Sequence, residues 1–248
     1  MSLVSIIMPY YKKENFIKSS VISLLNQTYQ NFEIIIIDDE ASKDSSKILN
    51  EIKTLDSRIK LIANKSNIGA GLSRNKAIKN SKGELIAFCD CDDLWKSSKL
   101  QIQLSFMKKH NLDFSFTSYE IINEVGEVIG ERKAKKVINF QNLIKSCDIG
   151  LSTVILNRKF FLNDKFQFAK LKTKEDFVLW LELAKNEVKM LGIEDNLSCW
   201  RKCKNSLSSY TFQKLLDGYK VYRAHLNYGR LKSFVYLLLL SINFIIKK

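Results

Sequence analysis

Four short apolar runs rich in Ile and Val, at residues 3–8, 32–37, 59–63 and 85–89, are separated by stretches of helical period centred near 15–26, 43–54, 71–80 and 96–109. Strands and helices that alternate in this way fold as a parallel sheet with helical crossovers. The second run, Phe32 to Ile37, is broken only by Glu33, as expected of a strand covered on both faces. The lone proline, Pro9, is expected to end the first strand. Beyond residue 112 the pattern changes. Asp113 to Asn123 alternates, and Asn123 to Glu127 reads as a turn leading into a return strand. The expectation is an α/β protein with a mostly parallel, Rossmann-like central sheet, helices on both faces, a mixed α+β second half and a C-terminal helical extension.

In an open parallel sheet, ligands bind beyond the carboxyl ends of the strands. The unusual clusters of this sequence fall there: Pro9-Tyr10-Tyr11, Asp38-Asp39-Glu40, the segment Asn64 to Asn75, and Asp90-Cys91-Asp92-Asp93. Three carboxylates within four positions repel one another unless cations or hydrogen-bond donors compensate, which points to a hard divalent metal on oxygen ligands and an anionic diphosphate substrate. The competing reading is a capping role for Asp92 or Asp93 at a helix beginning near Leu94-Trp95.

The formal net charge of +14 is unevenly placed, since residues 196–248 hold ten Lys/Arg against one acid, Asp217. There Leu215, Tyr219, Tyr222 and Leu226 share one helical side and Lys220, Arg223 and Arg230 another, the pattern of a basic amphipathic helix suited to an anionic membrane surface. The apolar segment Phe234 to Ile246 is too short to span a bilayer and reads either as a shallow membrane foot or as a last helix packed on the domain. The N-terminus has no basic leader and no long apolar region, so a cytoplasmic location is expected. The five cysteines lack zinc-site spacing and read as reduced, mostly buried thiols.

Taken in order, Val4-Ser5-Ile6-Ile7-Met8-Pro9-Tyr10-Tyr11, Asn26-Gln27-Thr28-Tyr29, Ile36-Ile37-Asp38-Asp39, Asn67-Ile68-Gly69, Ser73-Arg74-Asn75, Phe88 to Asp93, Lys174-Glu175-Asp176 with Trp180-Leu181, and Trp200-Arg201 with Asn205 to Ser209 resemble the family 2 glycosyltransferases of GT-A fold. The pattern is most similar to bacterial enzymes that build teichuronic acid, capsule or O-antigen. Asp38 to Asp44 carries one residue more than the family's usual spacing, and Tyr11 stands where Asn is common.

The resemblance implies a GT-A domain over residues 1–210, with a nucleotide-sugar-binding half at 1–110 and an acceptor half at 111–210, followed by the extension 211–248. It implies a nucleotide-sugar donor, a UDP-sugar, and Mn²⁺ or Mg²⁺ held by Asp92 with help from Asp90. Asp39 would accept a hydrogen bond from uracil and Arg74 would lie against the base or diphosphate. Pro9, Tyr10, Tyr11, Glu14, Asn67 and Cys91 complete the donor site, Tyr10 being equally readable as a packing residue. Asp93 would support the metal ligands or cap a helix. Asp176 is the candidate base, one turn into a helix whose positive end favours the carboxylate; Thr173 to Asp176 also has the form of a capping box. Glu175, Trp180, Trp200 and Arg201 are candidates for the acceptor site or a closing loop, with Arg201 alternatively paired to the acidic cluster.

The expected activity is inverting, metal-dependent transfer to a glycan acceptor carried on a lipid pyrophosphate, by a protein peripheral to the inner face of the cytoplasmic membrane. Two rivals are a non-catalytic membrane-associated subunit of the same fold and a basic nucleic-acid-binding protein. No nucleic-acid motif is present and the acidic strand ends would repel phosphates without a metal, so no nucleic-acid partner is expected.

Overall fold

The computed structural model describes residues 2–203 and 211–246, apart from the side chain of Asn163. The first half alternates as expected: β1 (Val4–Tyr10), α1 (Glu14–Leu25), β2 (Phe32–Asp38), α2 (Lys43–Lys53), β3 (Ile59–Ala63), α3 (Ala70–Lys79) and β4 (Leu85–Phe88). A two-residue strand β5 (Leu94–Trp95) precedes α4 (Lys99–His110). The second half contains β6 (Phe114–Ile122), β7 (Val128–Arg132), β8 (Val137–Ile138), α5 (Phe140–Leu143), β9 (Ile155–Asn157), α6 (Glu175–Lys185) and β10 (Met190–Arg201). Two helices, α7 (Thr211–Lys220) and α8 (Arg230–Ile246), follow, with a π-helical turn, Val221–His225, extending α7.

One sheet runs through the molecule in the order β3-β2-β1-β4-β9-β6-β10-β5, with β7 on β6 and β8 on β10. The strands β1, β2, β3 and β4 pair in parallel, as do β6 and β10, and β9 joins the two sets antiparallel to β4 and β6. Alternation across the pleat explains why the first strands are apolar throughout. Ile7, Ile35, Ile37, Ile86 and Phe88 enter the core beneath α3 and α6, while Ile6, Met8, Ile34, Ile36 and Ala87 enter the one beneath α1, α2 and α4.

Two sequence expectations are corrected. Pro9 does not end β1, which continues to Tyr10 opposite Asp38. Pairing between β1 and β4 stops at Ile7 and Phe88, so at Pro9 the strand is an edge on that side and a missing N–H is tolerated. Nor does a helix begin at Leu94-Trp95. Those residues pair with Cys199 and Ser198 of β10, Trp95 is buried, and its Nε1 donates to the Ser152 carbonyl at 2.9 Å. The helix begins only at Lys99, after the polar Lys96-Ser97-Ser98.

The C-terminal segment also departs from a single basic helix. The helix ends after the π turn and α8 begins at Arg230, so Arg230 does not continue the basic face of Lys220 and Arg223. Tyr222 stacks on Tyr236 with ring centroids 5.6 Å apart, and Asn243 Nδ2 donates to the Lys145 carbonyl, fixing α8 along the body. No helix among the described residues is long and apolar enough to cross a membrane.

Candidate functional site

The loop leaving β1 touches both acidic clusters. The Asp39 N–H donates to the Tyr10 carbonyl at 2.9 Å, the Lys12 N–H donates to Glu40 Oε2 at 3.0 Å, and Lys13 Nζ pairs with Asp92 Oδ2 at 2.7 Å. Asp39 and Asp92 thus lie on one edge of the sheet, flanking a single loop. Three residues bordering these clusters hold positive φ without being glycine: Lys12 at 49°, Ala41 at 56° and Lys174 at 67°. Such backbone is costly and concentrates where loops must aim side chains at a site.

Asp39 is 2 % exposed, and its carboxylate accepts from Asn64 Nδ2 and the Ile68 N–H, both at 2.8 Å, and from the Gly69 N–H at 2.9 Å. Its main work is to hold the loop that starts α3, leaving little capacity for a base. Asp38 is occupied likewise by the N–H groups of Glu40 and Ala41 and by the Ser45 hydroxyl. Tyr10 is buried in the core, which decides for its packing role, and Pro9 is buried beside it. Tyr11, 44 % exposed, is the aromatic that the strand end offers to solvent. Glu14 and Asn67 are exposed on the same rim and Cys91 is buried beneath it.

Arg74 does not reach outward. It is 3 % exposed and bridges Asp90 Oδ1 at 2.7 Å to Glu175 Oε1 at 2.6 Å, with no partner for its Nε among the described residues. The guanidinium therefore ties α3, the loop after β4 and the start of α6 into one unit. Burial pushes the Glu175 carboxyl up to about 7 against the pull of Arg74. Close packing supports the bridge: a Cβ on Gly71 would stand 2.7 Å from the Ala169 carbonyl oxygen and 3.1 Å from Glu175 Cγ.

Asp93 caps no helix. Buried, it accepts from the Ser152 hydroxyl at 2.5 Å and the Arg201 N–H at 2.9 Å, and burial together with Asp92 and Asp90 raises its carboxyl well above the ordinary range. Arg201 is structural: its Nε donates to the Asp92 carbonyl and its Nη1 to the carbonyls of Asn123 and Glu124. Trp180 is fully buried among Phe88, Phe114 and Phe168, so it belongs to the core and not to an acceptor site. Trp200 is half-buried on β10, and Asn205 to Ser209 lie outside the described residues.

Asp176 is half-buried in the first turn of α6. The capping-box alternative does not form, because the Thr173 hydroxyl donates to Asp217 Oδ2 at 3.2 Å and Lys174 is the residue at the cap. Asp176 Oδ1 instead accepts from the Phe177 N–H at 2.7 Å. Burial raises its carboxyl, while Lys174 and Arg74 pull it down and Asp90 opposes them. The carboxyl is thereby more basic than a surface aspartate, the direction that general-base chemistry favours.

Asp90 and Asp92 are partly accessible hard oxygen donors two positions apart. Among the described residues no group of three or more His, Cys, Asp or Glu side chains is arranged to hold an ion alone. The pair fits Mg²⁺ or Mn²⁺ when diphosphate oxygens and water complete the shell. Sequence reasoning missed Lys13 and Ser152, and marked Asn64 only as the start of a strand-end cluster, with no role of its own. Lys13 was signalled only by following the aromatic pair after β1; Ser152, whose hydroxyl also accepts from the Asp90 N–H, lies in a segment with no periodicity.

This fold is that of the GT-A glycosyltransferases. S. aureus TarS, solved in complex with UDP-GlcNAc, superposes with a TM-score of 0.76 at 22 % identity, covering 94 % of this chain and 70 % of that one. A mannosyltransferase from Pyrobaculum calidifontis, solved with GDP-Man and Mn²⁺, gives 0.71 at 12 % identity, covering 95 % and 70 %. The model of glycosyl transferase family 2 matches residues 5–170. A UDP-Glc:alpha-D-GlcNAc-diphosphoundecaprenol beta-1,3-glucosyltransferase of Escherichia coli, WfgD, is 40 % identical over 214 residues, 86 % of this chain and 82 % of its own length. The chain belongs to glycosyl transferase family 2 and is a glycosyltransferase.

Proposed function

We propose that this enzyme transfers a sugar from a UDP-sugar, with inversion, to a glycan carried on a lipid pyrophosphate during synthesis of a bacterial surface polysaccharide. The observation that carries the mechanism is the position of Asp176, a half-buried carboxylate directly after Glu175, which Arg74 joins to Asp90 at the acidic strand ends. Asp176 removes the proton of the incoming hydroxyl, and a single base with in-line attack inverts the anomeric carbon. Asp90 and Asp92 would hold a divalent ion, which would supply neutralisation of the charge on the departing diphosphate. Tyr11 offers an aromatic face to the base, and Lys13, released from Asp92, brings a cation to the phosphates. Residues 1–110 serve the donor and 111–210 the acceptor.

The donor and acceptor classes rest on WfgD, whose name specifies UDP-Glc and a diphosphoundecaprenol-linked GlcNAc, and on TarS with UDP-GlcNAc; the ion rests on the carboxylate pair and on the mannosyltransferase solved with Mn²⁺. The basic and apolar C-terminal helices support a site of action at the inner membrane face. A thermal-shift series with nucleoside diphosphates, run with Mn²⁺ and with chelator, tests the donor site: stabilisation by UDP that depends on the metal is expected. Indifference to every nucleotide in the presence of Mn²⁺ would overturn the reading.

A further inference from the structure

Asp217 is the one acid among the ten Lys/Arg of residues 196–248, yet it is no surface charge. It is 1 % exposed and its carboxylate is fully subscribed. Oδ2 accepts from the Thr173 N–H at 3.0 Å, the Thr173 hydroxyl at 3.2 Å and Gln213 Nε2 at 2.8 Å, while Oδ1 accepts from Lys220 Nζ at 3.2 Å. A buried carboxylate on the C-terminal helix α7 therefore grips the residue at which the chain turns into α6. Immediately after Thr173 comes Lys174 in left-handed backbone, then Glu175 and Asp176. A left-handed lysine at that turn persists only where its neighbours fix it from both sides. Arg74 fixes the Glu175 side and Asp217 fixes the Thr173 side.

We propose that Asp217 is a positioning residue for Asp176: through Thr173 it sets the first turn of α6, so that the C-terminal helical pair is part of the catalytic apparatus and not an appendage. The inference rests on Asp176 being the base. The linkage extends outward as well. The residue after Asp217, Gly218, packs so closely on α8 that a Cβ there would stand 2.9 Å from Leu237 Cδ1. Movement of α8 is thereby passed to α7 and on to Thr173.

The consequence for proton affinity has a definite sign. Asp176 is faced by Lys174 and Glu175 of its own segment, Arg74 of α3, Asp90 of the loop after β4 and Cys147 beyond α5. The Phe177 N–H stabilises its charged form. Loosening the first turn of α6 weakens that bond and the pull of Arg74, so the carboxyl should bind its proton more tightly and the acid limb of kcat should move to higher pH.

The experiment compares Asp217→Asn, Thr173→Val, Gln213→Ala and Asp176→Asn in the full chain, following kcat, KM and the pH profile, normalised to folded protein. Asp217→Asn should lower kcat on the order of tenfold or more with KM for donor held within about twofold, and shift the acid limb upward. Thr173→Val, which keeps the backbone donor, should move both in the same direction by less, and the double variant should be less than additive. Gln213→Ala touches the same carboxylate without Thr173 and should leave the profile unchanged. If Asp217→Asn and Thr173→Val keep the wild-type kcat and profile while Asp176→Asn is inactive, the positioning role is wrong and the base assignment stands. Activity retained in Asp176→Asn would overturn both.

Discussion

Two buried ionisable side chains show how local environment decides what a residue can do. Asp176 combines partial access with burial of its carboxyl, and its charged form is held by the Phe177 N–H and by Arg74 and Lys174. Asp176→Asn should therefore reduce kcat by about a hundredfold or more, the usual worth of a positioned base, while leaving the melting temperature nearly unchanged, since an amide oxygen still accepts from Phe177. A steady-state assay beside a thermal melt checks both halves, and an active variant would remove Asp176 from the mechanism. Lys99 is the opposite case. It is fully buried, with Nζ bonded to Gln103 Oε1 and the Thr153 carbonyl at 3.1 Å, and burial lowers its pKa to about 7. The unfolded chain holds this proton up to the ordinary lysine range and the folded one releases it near 7, so the unfolded state binds more protons between those values. This residue's contribution to stability rises as pH rises through that window. Lys99→Met should flatten the pH dependence of the melting temperature between about 7 and 10; an unchanged slope would contradict the assignment.

At the scale of elements, the site depends on how closely α3 approaches the start of α6. Gly71 permits it, because any Cβ would meet the Ala169 carbonyl oxygen, which is backbone and cannot swing away. Gly71→Ala should push the two elements apart, strain the Arg74-Glu175 contact and cost about 1–3 kcal/mol, the usual range for overpacking. Urea unfolding reads the loss, and a fall in kcat beyond that seen for an exposed Gly→Ala change, such as at Gly229, reads the displacement. The close approach was invisible in sequence, where residue 71 only opens the stretch of helical period at 71–80. What was legible were β1 to β4 and α1 to α4, because their periodicities are set by burial on two faces of one sheet. Leu94-Trp95 was not, since its pairing partner, β10, lies about a hundred residues away and no local pattern announces it. The acidic strand ends were equally plain as a cluster, but the division of labour within it was not. Whether Asp39, Asp93 or Arg74 faces ligand or scaffold depends on donors from Asn64 and Ser152 and on the acceptor Glu175, which no spacing links to them.

The whole molecule presents a helix that is apolar on both sides. Ser233, Tyr236, Leu237 and Leu240 of α8 turn toward the body, while Leu231, Phe234, Val235, Leu238, Ile242, Ile245 and Ile246 are exposed in a continuous stripe. A stripe of this extent on a soluble surface marks an interaction face. Arg230 and Lys232 occupy the first turn, where the helix dipole disfavours cations, and Lys220 and Arg223 lie exposed on the preceding helix and turn. Anionic headgroups would offset both the dipole conflict and the local positive charge, and a second copy of this surface would add to that charge. The chain should therefore sediment with phosphatidylglycerol-rich vesicles and not with neutral ones, and lose binding as salt is raised. Phe234→Ser with Ile242→Ser should abolish sedimentation while preserving turnover of a short soluble acceptor, because neither side chain faces the body that carries Asp176. A wild-type protein that ignores anionic vesicles and elutes as a dimer, with the double variant monomeric, would assign the stripe to self-association instead.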